Sequence, residues 1–280
     1  MINFSYKNVE KFKIFYRNKK FNYPLFHRLI LNKMFVCNIT GKSFDLEEND
    51  KHRELGHRFD CNSRLRAIGY ILTKLLYGET RILSHVPVDK TIKGIGMSDC
   101  GYDAICREKF NYTNTFYHQE PFLDIYDNDH VSKYTNLDFI ISTDVFEHIN
   151  PYPGLSIAFD NLYKMLKSGG VVIFSVPYNH KEHKEHYPEL YDYKIVTQNG
   201  NFQLLNTTID GEKQVFDNLS FHGGPGNVLE MRQFSKTSLF EFFEKAGFKE
   251  VTVHPVDQDM NKYGIYWAMD TSLIISAKKI

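Results

Sequence analysis

The chain has 280 residues, and its 34 Lys and Arg balance 34 Asp and Glu. That length can bury a sizeable core, as one domain with extensions or as two small ones. The even charge excludes a general electrostatic pull toward nucleic acid or anionic membrane. No apolar run approaches bilayer length, so no membrane span is expected. Four scattered cysteines (Cys37, Cys61, Cys100 and Cys106) do not make a disulfide framework.

Residues 1–35 are basic and aromatic without a clean period, and Pro24 with Leu25 to Leu31 reads as a short helix or strand packed on the core. The first twenty residues mix Lys with Phe and Tyr and lack an apolar signal core, so a cytoplasmic location is the expectation. Cys37-Asn38-Ile39-Thr40-Gly41 resembles a Cys-x-x-Cys-Gly zinc-ribbon knuckle with Thr40 in place of its second Cys. Arg58-Phe59-Asp60-Cys61 resembles the partner knuckle, with Arg58 in place of its first. Structural zinc needs four ligands, and His52 and His57 stand at the wrong spacing to replace the missing pair. A ribbon that folds without metal is expected.

Asn62 or Ser63 can cap a helix whose apolar stripe is Leu65, Ile68, Ile71, Leu72, Leu75 and Leu76, with Gly78 ending it. The stretch Ile92-Lys93-Gly94-Ile95-Gly96-Met97-Ser98-Asp99-Cys100-Gly101 can be a glycine loop after a strand. It can equally be a second strand, with Ile82 to Val86 as the first. Its spacing fails the dinucleotide pattern Gly-x-Gly-x-x-Gly. An aromatic and polar run, Tyr112 to Ile125, follows and ends in Asp124-Ile125.

Leu137-Asp138-Phe139-Ile140-Ile141-Ser142-Thr143 and Val171-Val172-Ile173-Phe174-Ser175-Val176-Pro177-Tyr178 are short, β-branched and aromatic, as in strands buried on both faces. Between them Leu155, Ala158, Phe159, Leu162, Met165 and Leu166 recur at helical spacing, and Gly169-Gly170 ends the helix. This is a strand–helix–strand unit of a parallel sheet. Ligands bind where such strands end, which puts Asp144, Glu147 and His148 at the rim of a cleft.

His180, His183 and His186 recur at intervals of three, but Lys and Glu between them mark a solvated segment, and no bound metal is expected. Gln198-Asn199-Gly200-Asn201 and Ile209-Asp210-Gly211-Glu212 are hairpin turns inside an insertion of about 179–233. The stretch Asn218 to Phe234 gathers glycines with His222, Glu230 and Arg232 and reads as a substrate or catalytic loop. Ser235 caps a helix with Leu239, Phe242, Phe243 and Ala246 on its buried face. Lys249 to His254 and Thr271 to Lys278 read as two closing strands, with Tyr263 to Trp267 between them either lining a site or packing.

Asp138-Phe139, Asp144-Val145-Phe146-Glu147-His148 and Leu166-Lys167-Ser168-Gly169-Gly170 together resemble the second half of class I S-adenosylmethionine (SAM) methyltransferases, in the methyltransferase-11-like group. Ser168 replaces the usual Pro. The resemblance covers most of residues 35–280. It implies an α/β Rossmann-like doubly wound sheet with a reversed C-terminal hairpin, a small N-terminal segment and a β-rich insertion. It implies an N-terminal extension over 1–60 and a methyltransferase domain over 61–280. SAM is the implied cofactor, held by Gly94, Gly96, Ser98, Asp99, Asp124, Ile125 and Asp144, although Lys93 stands where the family's leading acid would be. The ribbon-like segment and the Gly-rich loop resemble a bacterial subgroup often linked to surface-polysaccharide synthesis. That implies a small-molecule or carbohydrate acceptor and no nucleic-acid partner.

The expected reaction is O-methylation, with His148 or His222 as base and Glu230 or Arg232 orienting the base or holding an anionic sugar. A non-catalytic SAM-binding or scaffold module is the competing reading, motivated by the eroded glycine loop. A protein or nucleic-acid methyltransferase is a third, against which stands the absence of an Asn/Asp-Pro-Pro-Tyr/Phe motif.

Overall fold

The computed structural model describes residues 34–52, 61–99, 101–179, 181–198, 200–267 and 272–280. The expectations for residues 1–33, for His57 and Arg58-Phe59-Asp60, and for Cys100, His180, Asn199 and Thr271 lie outside these residues. A hairpin of β1 (Met34–Val36) and β2 (Ser43–Asp45) comes first, followed by α1 (Ser63–Tyr77). Strands and helices then alternate through β3 (Asp89–Met97), α2 (Asp103–Lys109), β4 (Phe110–Thr115), α3 (Asn128–Val131), β5 (Leu137–Thr143), α4 (Leu155–Met165) and β6 (Leu166–Ser175). The insertion carries β7 (Tyr178–Asn179), β8 (Lys184–Glu185), β9 (Asp192–Gln198), β10 (Asn201–Thr207), β11 (Lys213–Phe216), β12 (Phe221–His222) and β13 (Val228–Leu229). β14 (Arg232–Ser235), α5 (Lys236–Lys245), β15 (Lys249–His254), α6 (Gln258–Asn261) and β16 (Ile274–Lys278) complete the chain.

The main sheet has six strands in the order β15-β16-β6-β5-β3-β4. β4, β3, β5 and β6 are parallel, whereas β16 runs antiparallel to β6 and to β15. The sheet is thus α/β and Rossmann-like with a reversed C-terminal hairpin, as the sequence predicts. Alternation along the strands divides the core between the two faces of the sheet. Ile140, Val172 and Phe174 join α4 and α5 in one buried cluster, while Phe139, Ile141, Val171 and Ile173 join α1 and the β1–β2 hairpin in the other. Each such side chain, fully removed from water, contributes roughly 1.5–3 kcal/mol before entropy is charged against it.

α1 begins and ends as its sequence requires. Asn62 Oδ1 accepts from the Leu65 N–H at 2.9 Å, and Gly78 closes the helix in the left-handed region. Leu65, Ile68, Ile71 and Leu72 are buried, but Leu75 lies on the exposed side. The β1–β2 hairpin packs onto α1 through Phe35, Cys37 and Ile39. Cys37 and Cys61 are both buried, and the thiol of Cys61 holds that of Cys37 down to about 5.

Three local expectations change. Ile82 to Val86 is no strand, because Leu83–His85 forms a single 3-10 turn and the first sheet strand is β3. Gly94 to Met97 therefore belongs to a strand, and only Ser98 onward is a loop. Lys167 to Gly170 is the irregular start of β6, whose register shifts between Leu137 and Phe139, so α4 ends at Met165 rather than at the glycines. His183 and His186 flank the short strand β8.

Candidate active site

The order of the sheet reverses between β3 and β5: β4 lies on one side of β3, and the next strand in sequence, β5, lies on the other. Loops part at such a reversal and leave a crevice at the carboxyl ends of the strands. Ser98 and Asp99 follow β3 there, and Asp144 follows β5, with Met97 paired to Ser142 between them. Both Ser98 and Asp144 take positive φ, 59° and 54°, as chains do when turning sharply out of a strand.

Asp144 is held from three directions. Its N–H donates to the Ser175 carbonyl at 2.7 Å, its Oδ1 accepts from Ser175 Oγ at 3.2 Å, and Arg64 from the first turn of α1 lies 3.4 Å from Oδ2. The positive charge of Arg64 also acts on Asp99, lowering its carboxyl against the larger effect of burial. Sequence reasoning missed Arg64, because nothing in the α1 stripe marks a residue that faces another strand's end.

Asp99 is buried. The Tyr112 hydroxyl donates to its Oδ2, while Asn114 accepts from its N–H at 2.9 Å and donates to its carbonyl at 2.8 Å. Burial, opposed by the Tyr112 and Tyr102 hydroxyls, lifts the Asp99 carboxyl to about 7. Its Oδ1 makes no aligned hydrogen bond. The glycines of β3 serve this arrangement: a Cβ on Gly96 would overlap Asp99 and Tyr112, and one on Gly94 would overlap the Phe139 ring. The spaces at Gly94 and Gly96 are therefore filled by the protein's own side chains. Asp124 follows β4 on the loop whose Leu123 and Ile125 pack with Ile95 and Met97 of β3, and its Oδ1 accepts from the Tyr126 N–H at 2.9 Å. The Ile125 carbonyl accepts from Asn161 at 2.7 Å, which fixes that loop to α4.

The second part of the site lies just beyond Asp144. Glu147 is 0% exposed, and neither carboxylate oxygen has an aligned hydrogen bond. Two imidazoles face it: His222 Nδ1 at 3.5 Å and His148 Nε2 at 3.7 Å, both measured to Oε1. The Leu229 carbonyl, 2.8 Å from His148 Nδ1, fixes the other side of that ring. A carbonyl can only accept, so Nδ1 carries the proton and Nε2 presents its lone pair toward Glu147. The two rings lie 5.3 Å apart. Glu230 stands 3.9 Å from His222 and accepts from Ser220 Oγ at 2.9 Å.

Burial raises the Glu147 carboxyl, and Glu147 in turn raises His222, so the two favour one shared proton. His148 is lowered by burial and stays neutral near pH 7. The loop that brings His222 in is the β12–β13 hairpin, which pairs Phe221 with Leu229 and His222 with Val228. The Met231 N–H donates to the Glu147 carbonyl at 2.8 Å and ties that loop to the end of β5.

Of the residues the sequence singled out, the structure brings His148 and His222 to Glu147, and Glu230 to His222. Arg232 is placed differently. Its side chain is fully buried, donating to Glu185 Oε1 at 2.7 Å and to the Phe146 carbonyl at 2.6 Å. It props the loop through these two bonds, while its Nη2 makes no aligned hydrogen bond. A hollow of about 640 Å³ opens beside the insertion, lined by Asn201, Phe202, Gln203, Asp217, Phe221 and Pro225, and Phe221 adjoins His222. No helix among the described residues is long and apolar enough to cross a membrane.

No family model matches the chain, and no curated protein matches it in sequence. Similar solved structures include a SAM-dependent methyltransferase from Clostridium acetobutylicum, 15% identical over 79% of this chain and 93% of that one, with a TM-score of 0.42. Another is the 1,6-didemethyltoxoflavin-N1-methyltransferase of Burkholderia thailandensis, solved with 1,6-didemethyltoxoflavin and S-adenosylhomocysteine: 12% identity, 76% and 78% covered, TM-score 0.41. A putative SAM-dependent methyltransferase from Listeria monocytogenes is 16% identical over 78% of this chain and 99% of that one, with a TM-score of 0.41. At these values the likeness carries no argument about ligand or activity, and the strand order described above carries the fold.

Proposed function

We propose that the protein is a SAM-dependent methyltransferase that O-methylates a small-molecule or sugar acceptor in surface-glycan synthesis. The observation that carries this reading is the buried Glu147 carboxylate behind His148 and His222, next to the reversal of the sheet. The donor set at the crevice fits the cofactor in its polar parts. Asp99 Oδ1 is a buried acceptor lacking an aligned donor, and Asp124 offers a carboxylate suited to an exocyclic amine. Ser98 and Asp144, at the tips of β3 and β5, line the same edge. Gly94 and Gly96 contribute indirectly, by admitting Phe139, Tyr112 and Asp99.

When bound, the cofactor supplies an activated methyl group. The chain's own task is then to hold a hydroxyl in line and to take its proton. His222, the more exposed imidazole, accepts that proton on Nε2 while Nδ1 leans on Glu147. Glu147 stabilises the charge so formed in a water-poor setting. His148 fixes the opposite wall through its bond to Leu229. The polar hollow beside Phe221 suits an acceptor rich in hydroxyls.

Calorimetry with SAM and S-adenosylhomocysteine, followed by release of the latter in the presence of monosaccharide and nucleotide-sugar acceptors, tests the proposal. Binding is expected at micromolar ligand, with turnover lowered about 10²–10⁴-fold in His222→Ala while cofactor affinity holds. Normal turnover in both His148→Ala and His222→Ala would overturn the base assignment. The packing of Phe139, Tyr112 and Asp99 into the spaces at Gly94 and Gly96 favours a second reading, a scaffold module without catalysis. No heat of binding at millimolar cofactor would favour that reading instead.

A further inference from the structure

The geometry points to a divalent transition-metal site formed by Glu147, His148 and His222. This inference goes beyond the methyltransferase reading and does not depend on it. One ligand atom from each of the three residues lies within 4.8 Å of the other two. The separations of Glu147 Oε1 from His222 Nδ1 and His148 Nε2 are 3.5 and 3.7 Å. A cation at about 2.1 Å from each donor sets donor–donor distances of about 3.0–3.5 Å, which the two separations from Glu147 nearly meet.

A second observation, independent of the spacing, calls for a ligand. Glu147 is 0% exposed, and both its oxygens lack an aligned partner, as does His222 Nδ1 beside them. Buried carboxylates are ordinarily hydrogen-bonded, because an unmet charge in the interior is costly. Glu147 Oε1 and His222 Nδ1 face one another at 3.5 Å where a positive charge, a shared proton or a cation, would sit.

The surroundings are those of a metal ligand shell. The Leu229 carbonyl fixes His148 as the tautomer whose Nε2 lone pair faces inward, the outer-shell support that ligating histidines receive. The Met231 N–H holds the Glu147 backbone in register. Two imidazoles and one carboxylate leave open positions, a donor set suited to Zn²⁺, Co²⁺, Mn²⁺ or Fe²⁺ rather than to Ca²⁺.

The test uses the full chain after treatment with chelator, titrated with Co²⁺ followed by visible absorbance and with Zn²⁺ by calorimetry, without cofactor or acceptor. One equivalent should bind, with affinity lowered by about a hundredfold or more in His222→Ala and in Glu147→Gln. His186→Ala, outside the cluster, should bind like wild type. Because Glu147 is buried and its variant can fail to fold, His222→Ala is the deciding variant: its side chain is 39% exposed. Failure of the wild-type chain to take up one equivalent at millimolar metal would overturn the inference. So would unchanged affinity in His222→Ala, or an equal loss in His186→Ala. Cofactor calorimetry is a separate readout, so a metal result of either sign leaves the methyltransferase reading to its own test.

Discussion

Asp99 shows how a single side chain can set the pH response of a fold. An Asp in an unfolded chain titrates near 3.9, whereas burial lifts Asp99 to about 7 in the folded protein. Between those values the folded state keeps a proton that the unfolded chain has released, so stability falls as pH rises, by up to about 1.4 kcal/mol per unit. The stabilising contribution is complete below about pH 4 and gone above about pH 7, a span on the order of 4 kcal/mol. Asp99→Asn keeps an acceptor for the Tyr112 hydroxyl and removes the titration. Urea melts at pH 5 and pH 7.5 should therefore show wild type losing stability across the interval and Asp99→Asn losing much less. Parallel losses in the two proteins would mean that Asp99 is not the group responsible.

The elements themselves obey their local signals where those signals are short-range. Ser235 Oγ accepts from the Ser238 N–H at 3.0 Å, and Ser238 Oγ accepts from the Ser235 N–H at 3.1 Å, a reciprocal cap at the start of α5. Ser235→Ala should cost about 1 kcal/mol in chemical denaturation. A change within error would show that β14, which leads directly into α5, fixes the helix start by itself. The cap, the α1 stripe apart from Leu75, the two hairpins of the insertion and the β5–α4–β6 order apart from the end of α4 were legible, because each depends on neighbours within a few residues or on a strong hydrophobic period. The Gly94 to Asp99 stretch was not, since a glycine in a loop and a glycine facing a large ring look alike until Phe139 and Tyr112 are in place. Glu147 as the centre of the cluster was equally hidden. Its meeting with His222 requires the β12–β13 hairpin to fold back on the end of β5, bringing Leu229 to His148 across 81 residues.

At the scale of the molecule, the insertion is fastened to the sheet through Arg232. Its guanidinium reaches Glu185 of β8 and the Phe146 carbonyl beyond β5, and Glu185 is also 3.1 Å from His183. β14 pairs with both β7 and β8, so one buried cation joins the chain entering the insertion to the chain leaving it. Burial tends to raise Glu185, but its bonds to His183 and Arg232 together outweigh that and hold the carboxyl below its usual range. Stranding one charge of a buried pair costs about 3–5 kcal/mol, and Glu185 without Arg232 still keeps His183, which holds the loss toward the lower figure. Arg232→Met should therefore lose about that much stability in urea, and Arg232→Met with Glu185→Met should recover a large part of it, since a matched apolar pair strands no charge. A strut also predicts that activity falls only as far as the folded fraction does. Were Arg232→Met as stable as wild type yet devoid of turnover, the guanidinium would have to be touching a ligand, and the anion-holding role that its sequence context suggests would replace the structural one.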